Sequence, residues 1–466
     1  MKRTLVLNVV GMTPALLAHA PSLRALAGRG AMRPLTTVTP ALTTSVQSTF
    51  VTGLLPSGHG IVANGWYFRD LSEIWLWRQP NRLVQGEKLW ESARRRDPAF
   101  TCAKLFWWYN MYASADWSAT PRPMYPADGR KLPDIYTHPA ALRDELQGTL
   151  GQFPLFRFWG PAADIVSSQW IGRSALHVFE KHRPTLTLVY LPHLDYGLQR
   201  LGPDHPAIAE EVRRVDDVCG ELIAAADRAG AQVVVLSEYG ITPVSRPVHI
   251  NRALRQAGLL RVREELGREQ LDAGASDAFA VADHQIAHVY VARPELIDQV
   301  AALLRALPGV ERVLDAEGKR ELGLGHARSG ELVAISQADA WFTYYHFMDP
   351  AQAPDYARTV DIHRKPGYDP VELLIDPALP LAKGRIAWRL LQKKLGMRYL
   401  MDVISLDATL VRGSHGRPTD RAEDGPLFIT SRPELLRGER VHALEVRDLL
   451  LAHVFGADAT TSRATA

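Results

Sequence analysis

Cysteine is nearly absent from this sequence: Cys102 and Cys219 are the only two in 466 residues, far apart and outside any C-x-x-C pair. That argues against a disulfide framework or a cysteine zinc site and leaves both thiols as small core residues. Charge of one sign is also lacking, with 54 Lys and Arg against 51 Asp and Glu and a formal net charge of +3, so no surface dedicated to a nucleic-acid polymer is indicated. No apolar run reaches the ~20 residues of a membrane span. Lys2 and Arg3 ahead of an apolar stretch, with Ala18-His19-Ala20 beyond it, imitate a secretory leader. Asn8, Gly11, Thr13 and Pro14 break that stretch, which reads better as a strand and turn of a soluble, cytoplasmic protein. Internal repeats, low-complexity segments and long linkers are missing as well.

What is present is a set of continuous apolar runs, "TLVLNVV" (4–10), "TLTLVYL" (185–191) and "QVVVLS" (232–237), each followed by a polar or glycine-bearing turn. Such runs suit strands covered on both faces. Between the last two lies "PAIAEEVRRVDDVCGELIAAADRAG", apolar at helical spacing, which completes a strand-helix-strand unit. The expected fold class is α/β, a mostly parallel central sheet with helices on both faces. From about Ala278 a strand, a helix and two more strands predict a small α+β inserted subdomain. The expected division is a core over 1–277, the insert over 278–345, a return to the core with late loops over 346–456, and a disordered tail over 457–466. Ligands of such sheets gather beyond the carboxyl ends of the strands. There "VVVLSEYG" ends a buried strand on Glu238 and Tyr239, and "LDYG" places Asp195.

The stretch "TPALTTSVQSTFVTGLLPSGHGIVANGWY" (39–67) sets two threonines before a helical segment, followed by "TGLLPSGHGI" and an asparagine. It resembles the alkaline phosphatase superfamily, most closely its nucleotide pyrophosphatase/phosphodiesterase branch, with the pattern P-x-x-T-x-P-N-x-x-x-x-x-TG-x-x-P-x-x-HGI-x-x-N. The resemblance implies an alkaline-phosphatase-like fold, Thr43 as nucleophile and Asn64 as donor to a non-bridging phosphoryl oxygen. A hydroxyl at a helix N-terminus and an amide donor suit a phosphoryl group. Thr44 and Ser45 are near competitors, an ordinary N-cap is the structural alternative, and His59 between glycines reads as part of a tight packed turn.

The same resemblance implies two zinc ions, and the ligand motifs depart from it. "LDYGLQRLGP" keeps Asp195, but Gln199 stands where the family has histidine; "GSHG" keeps His415. Val10 replaces the first-strand aspartate, with Asn8 one strand period earlier, and Glu238-Tyr239 replace Asp-His. The retained metal candidates are Asp195, His415, Glu238 and Thr43, expected to hold a divalent ion (zinc, or manganese or magnesium) at fewer than two standard zinc sites. "DIHRKPGYDP" adds Asp361 and His363, on one face if extended, His363 as a further metal-ligand candidate, with Arg364 and Lys365 as possible phosphate-binding cations. Gln199 and Tyr239 are further candidates for contact with substrate. Asp283, His284, His288 and His193 are weaker candidates, and Lys104, Arg78 and Arg82 read as structural or solvated. The aromatic run 66–79 suits either a pocket wall or core.

The expected function is therefore a metal-dependent phosphoryl-transfer hydrolase of phosphodiesterase or pyrophosphatase type, acting on a phosphorylated small molecule through a phosphothreonine at Thr43, with Glu238 as ligand or base. The alternatives are a non-hydrolytic protein that recognises a phosphorylated metabolite, and a phosphotransferase or mutase on the same fold.

Overall fold

A computed structural model describes residues 1–457; most of the C-terminal tail named above, 458–466, lies outside the described residues. The strands that matter here are β1 (Thr4–Val9), β2 (Ala31–Thr36), β3 (Cys102–Leu105), β4 (Trp117–Pro121), β5 (Ile135–His138), β6 (Leu186–Leu191), β7 (Gln232–Leu236), β8 (Ala278–Asp283), β9 (Ile286–Val291), β10 (Val310–Leu314), β11 (Leu332–Ser336), β12 (Leu427–Thr430) and β13 (Val441–His442). The helices are α1 (Pro21–Arg29), α2 (Thr43–Thr52), α3 (Leu89–Arg96), α4 (Ile165–Lys181), α5 (His193–Leu201), α6 (Ile208–Arg228), α7 (Ile297–Arg305), α8 (Ala382–Lys394) and α9 (Val446–Phe455).

The central sheet has nine strands in the order β13-β2-β12-β7-β1-β6-β3-β4-β5. β1 pairs in parallel with both β6 and β7, and the antiparallel pairings are those of β12 with its two neighbours and of β4 with β5. The alternation of strand side chains divides the apolar runs between two cores. Leu5, Leu7, Val9, Val233 and Val235 pack with α1, α4 and α6 on one face. Val6, Leu186, Leu188, Val234 and Leu236 pack with α2, α3 and α9 on the other. Each such side chain contributes about 1.5–3 kcal/mol on burial, which is why these strands carry almost no polar residue. Thr4, Asn8, Thr187 and Gln232 are the buried polar exceptions, and Asn8 donates to Glu238 at the site.

β8, β9, β11 and β10 form a separate four-stranded sheet in that order, every pairing antiparallel, with α7 between β9 and β10 in the chain. Two ties fix this sheet against the late His-Gly segment and α2: Gln285 N donates to the His415 carbonyl at 2.9 Å, and Ala41 N donates to the Gly416 carbonyl at 2.9 Å. The carboxyl ends of β1, β6 and β7, the start of α2 and the β8–β9 turn consequently meet at one place.

Candidate active site

Thr43 is the first residue of α2, and Leu42 occupies the cap position without a side-chain cap. The Thr43 hydroxyl is therefore not spent on capping; it lies 2.8 Å from the Tyr239 hydroxyl. Its neighbours are committed elsewhere or turned away: Thr44 Oγ1 donates to the Ala63 carbonyl, and Ser45 Oγ is buried without a hydrogen-bond partner among the described residues. Asn64 is gripped from both ends. Its Oδ1 accepts from Thr44 N at 3.1 Å, while its backbone N and Nδ2 donate to the two oxygens of Asp283 at 2.8 and 3.1 Å. One N–H of the Asn64 amide is left over by this count.

Beyond β7 the chain delivers Glu238 and Tyr239, then turns at Gly240, where a Cβ would stand 1.6 Å from the Asp424 carbonyl oxygen. Only glycine admits that approach. Glu238 Oε1 accepts from Asn8 Nδ2 at 2.5 Å and Gln47 Nε2 at 2.6 Å, and Oε2 is buried with no hydrogen-bond partner among the described residues. Gln47 is itself aimed by the Trp108 N–H, which donates to its Oε1 at 2.8 Å. Beyond β6, at the strand end as expected, Asp195 sits in the first turn of α5. Its Oδ1 lies 3.4 Å from the Tyr239 hydroxyl, its Oδ2 accepts from Gln199 Nε2 at 2.8 Å, and Gln199 Oε1 accepts from the Tyr368 hydroxyl at 2.8 Å.

Four rings stack through the centre. Tyr239 lies on His415 at 3.6 Å and 8°, His415 meets His284 at 3.7 Å, and His284 lies on Tyr368 at 3.6 Å. His415 Nδ1 is bonded to the Ala41 carbonyl at 2.8 Å, so its Nε2 faces inward as an acceptor. His284 has φ +58 at the β8–β9 turn and places Nδ1 2.7 Å from Asp283 Oδ1. Burial pushes both imidazoles well below their ordinary range. It pushes the carboxyls the other way: Asp195 up to about 7, Asp283 to about 6 and Glu238 to about 8, with the Asp195 charge adding to the last. At neutral pH the two imidazoles and Glu238 are therefore neutral, Asp283 is mostly ionised, and Asp195 is divided between its two forms.

The residues present do not fit a two-ion centre. Val10 is apolar and fully buried, Tyr239 is spent on Thr43, and of the Glu238 carboxyl only Oε2 is free, since Oε1 accepts from two amides. At the other position Asp195 Oδ1 and His415 Nε2 converge at 3.8 Å, but Gln199 turns its amide to Asp195 and its carbonyl to Tyr368. Among the described residues no group of three or more His, Cys, Asp or Glu is placed to hold a metal ion.

A family model for type I phosphodiesterase / nucleotide pyrophosphatase matches residues 4–369. The chain belongs to that family. Among curated relatives it is 27% identical over 236 residues to an uncharacterized pyrophosphatase/phosphodiesterase of Schizosaccharomyces pombe; the match spans 48% of this chain and 41% of that protein. Two solved structures share the fold at 16% identity. Murine ectonucleotide pyrophosphatase/phosphodiesterase 5, an inactive variant in complex with AMP, matches with a TM-score of 0.58 over 97% of this chain and 95% of that one. Phosphonoacetate hydrolase from Sinorhizobium meliloti, in complex with phosphonoformate, matches with 0.61 over 98% and 96%.

Within this family member, Thr43, Asn64, Asp195, Gln199, Glu238, Tyr239 and His415 come together. The cations of the 361–370 loop do not join them: Arg364 is exposed and paired with Asp355, and Lys365 is buried between Asp369 and Glu372 at 2.7 and 2.8 Å. His363 sits 3.3 Å from the Leu76 carbonyl through Nδ1, in a turn and not the extended segment that would have aligned it with Asp361. His288 holds the Val62 carbonyl, His193 lies against Glu211, and His59 against Thr49. Lys104 donates to the Trp108 and Tyr109 carbonyls and Arg78 covers the Trp75 ring, while Arg82 is exposed. Sequence reading missed Gln47 and Tyr368. Gln47 was findable, lying four residues after Thr43 and so on the same helical face; Tyr368 carried no signal beyond its place in a polar loop.

Proposed function

We propose that this chain is a phosphoryl-transfer hydrolase that cleaves a phosphodiester or pyrophosphate bond of a small phosphorylated molecule, with Thr43 as nucleophile. The observation that carries the reading is the 2.8 Å contact of the Thr43 and Tyr239 hydroxyls, continued at 3.4 Å to Asp195. Burial raises the Tyr239 phenol well above its ordinary value, so it keeps its proton and passes charge only by relay. Thr43 Oγ1 attacks phosphorus while its proton moves to the Tyr239 oxygen and the Tyr239 proton moves to Asp195. The bond to the leaving oxygen, opposite Thr43, breaks, and that oxygen takes a proton from solvent. Water then attacks the phosphothreonine from that same side and gives its proton to solvent, while Asp195 returns the relayed proton through Tyr239 to Thr43 Oγ1 as the Thr43–phosphorus bond breaks. The free N–H of Asn64 meets a non-bridging oxygen, and Glu238, protonated by its burial, offers Oε2–H to another. Both act by charge placement, the main contribution available in phosphoryl transfer. That structural relatives were captured with AMP and with phosphonoformate supports a ligand bearing a phosphoryl or phosphonyl group.

The test is turnover of a chromogenic diester and monoester by purified wild type, Thr43→Ala and Asn64→Ala, with divalent-ion content measured on the same preparations. Wild type should turn over with substoichiometric ion, Thr43→Ala should lose at least ~10³-fold, and Asn64→Ala about 10²–10³-fold. Undiminished turnover by Thr43→Ala ends the proposal.

A further inference from the structure

The segment 376–403 loops out and back, held to the body by Leu379, Ile386 and Met401, which pack on the core cluster that holds Val403 and Ile404. It departs after Ile375 and comes back at Ile404, which form an isolated bridge, and it lies wholly outside the residues that the family model matches. Its helix α8 has no buried residue along its 13 positions. At 100° per residue, Leu381, Trp388, Leu391 and Leu395 fall on one face. That face points to solvent: the four side chains are 88%, 54%, 45% and 64% exposed. Met397 and Leu400 add exposed apolar surface just past the helix, whereas Leu390, also exposed, and Lys393 over Phe156 lie on the opposite side of α8.

The charge around the strip is of one sign. From Leu381 to Leu400 there are Lys383, Arg385, Arg389, Lys393, Lys394 and Arg398 and no acidic residue, in a chain whose net charge is +3. Arg385 and Arg389 share Asp402. Lys383, Lys394 and Arg398 are exposed and form no ion pair among the described residues.

We propose that α8 docks the protein on an anionic lipid surface, lying in the plane of the membrane interface. A helix with an outward apolar face carrying Trp and Leu, rimmed by cations and free of acid, is the amphipathic pattern that buries one face below lipid headgroups. The unpaired cations supply the attraction to acidic headgroups, and the (CH₂) stems of Lys383 and Lys394 snorkel beside the strip. A second copy of this chain suits the face poorly, because it would oppose cations to cations.

The experiment is flotation of the full chain with vesicles of phosphatidylcholine alone and of phosphatidylcholine with about 30% phosphatidylserine. Wild type should float with the anionic vesicles and not the neutral ones, with binding lost in high salt. Leu391→Glu/Leu395→Glu and, separately, Lys383→Glu/Lys394→Glu/Arg398→Glu should each reduce bound protein at least about tenfold. Because the substituted side chains are all exposed, both variants should keep the wild-type melting temperature and wild-type hydrolysis of a soluble diester. Equal binding to neutral and anionic vesicles, or binding unchanged in both variants, overturns the proposal. So does a wild-type dimer in solution that becomes monomeric in Leu391→Glu/Leu395→Glu.

Discussion

Glu238 and Tyr239 set a pair of hydrogen-bonding groups at the end of β7. The phenol reaches Thr43, and the carboxyl is neutralised by burial against the amides of Asn8 and Gln47. Two carboxyls with separated titrations then set the pH response. Asp195 must be ionised to draw a proton through Tyr239 and is held at about 7; Glu238 must keep its proton to donate and is held at about 8. The expected kcat/KM profile rises through the first value and falls beyond the second, with the two limbs belonging to the coupled pair. Tyr239→Phe removes the bridge, and it should lower kcat about 10²–10³-fold and flatten the rising limb. A Tyr239→Phe enzyme with full kcat and an unchanged profile would sink the relay.

At the scale of the element, the 361–373 loop shows how a motif misleads when read along the chain alone. Lys365 looks like a phosphate clamp in sequence, yet it is 1% exposed and holds Asp369 and Glu372 together. Glu372 in turn accepts from the Trp159 indole at 2.6 Å and from the Asp361 N–H at 2.9 Å. Lys365→Ala would leave two carboxylates buried without their cation and should destabilise the fold by about 3–5 kcal/mol, read by denaturant unfolding; a loss below ~1 kcal/mol would return Lys365 to the list of substrate contacts. The strands at 4–10, 185–191 and 232–237 and the helix at 208–228 were legible because a doubly covered strand has no polar face and a long amphipathic helix has a clear period. Thr43, Asn64, Asp195 and His415 were legible because a motif ties them to fixed turns. Asp283, His284 and Tyr368 reach the site across 219 and 169 residues of separation from their partners Asn64 and Gln199, and no local pattern encodes such contacts. α8 was passed over because its apolar residues, facing outward, mark no core.

For the molecule as a whole, buried titratable groups oppose one another. His59 is pushed by burial to about 3, and His249, His288, His346, His363 and His453 to about 4. These rings are neutral in the folded state, so the unfolded chain binds more protons and stability is lost as pH falls from about 6.5 towards 4. Asp195, Asp283 and Glu238 are raised, so the folded state binds more protons and stability is lost as pH rises from about 4 to 8. Where the windows overlap the buried histidines outweigh the three carboxyls; above about pH 7 the carboxyls are opposed by Lys104, which burial pushes down to about 7, so that the unfolded chain binds more protons there as well. The melting temperature should therefore rise from pH ~4 to ~6.5, and calorimetry showing no rise over that range would contradict this balance.

β12 has a consequence for how the protein is made. Residues 427–430 lie between β2 and β7, so the sheet stays split until almost the whole chain has left the ribosome. Until then β7 presents an open apolar edge beside β1, the kind of edge that recruits other chains. A nascent or prematurely terminated polypeptide ending before Leu427 would carry Thr43 and Tyr239 and still lack the strand that closes the sheet behind them.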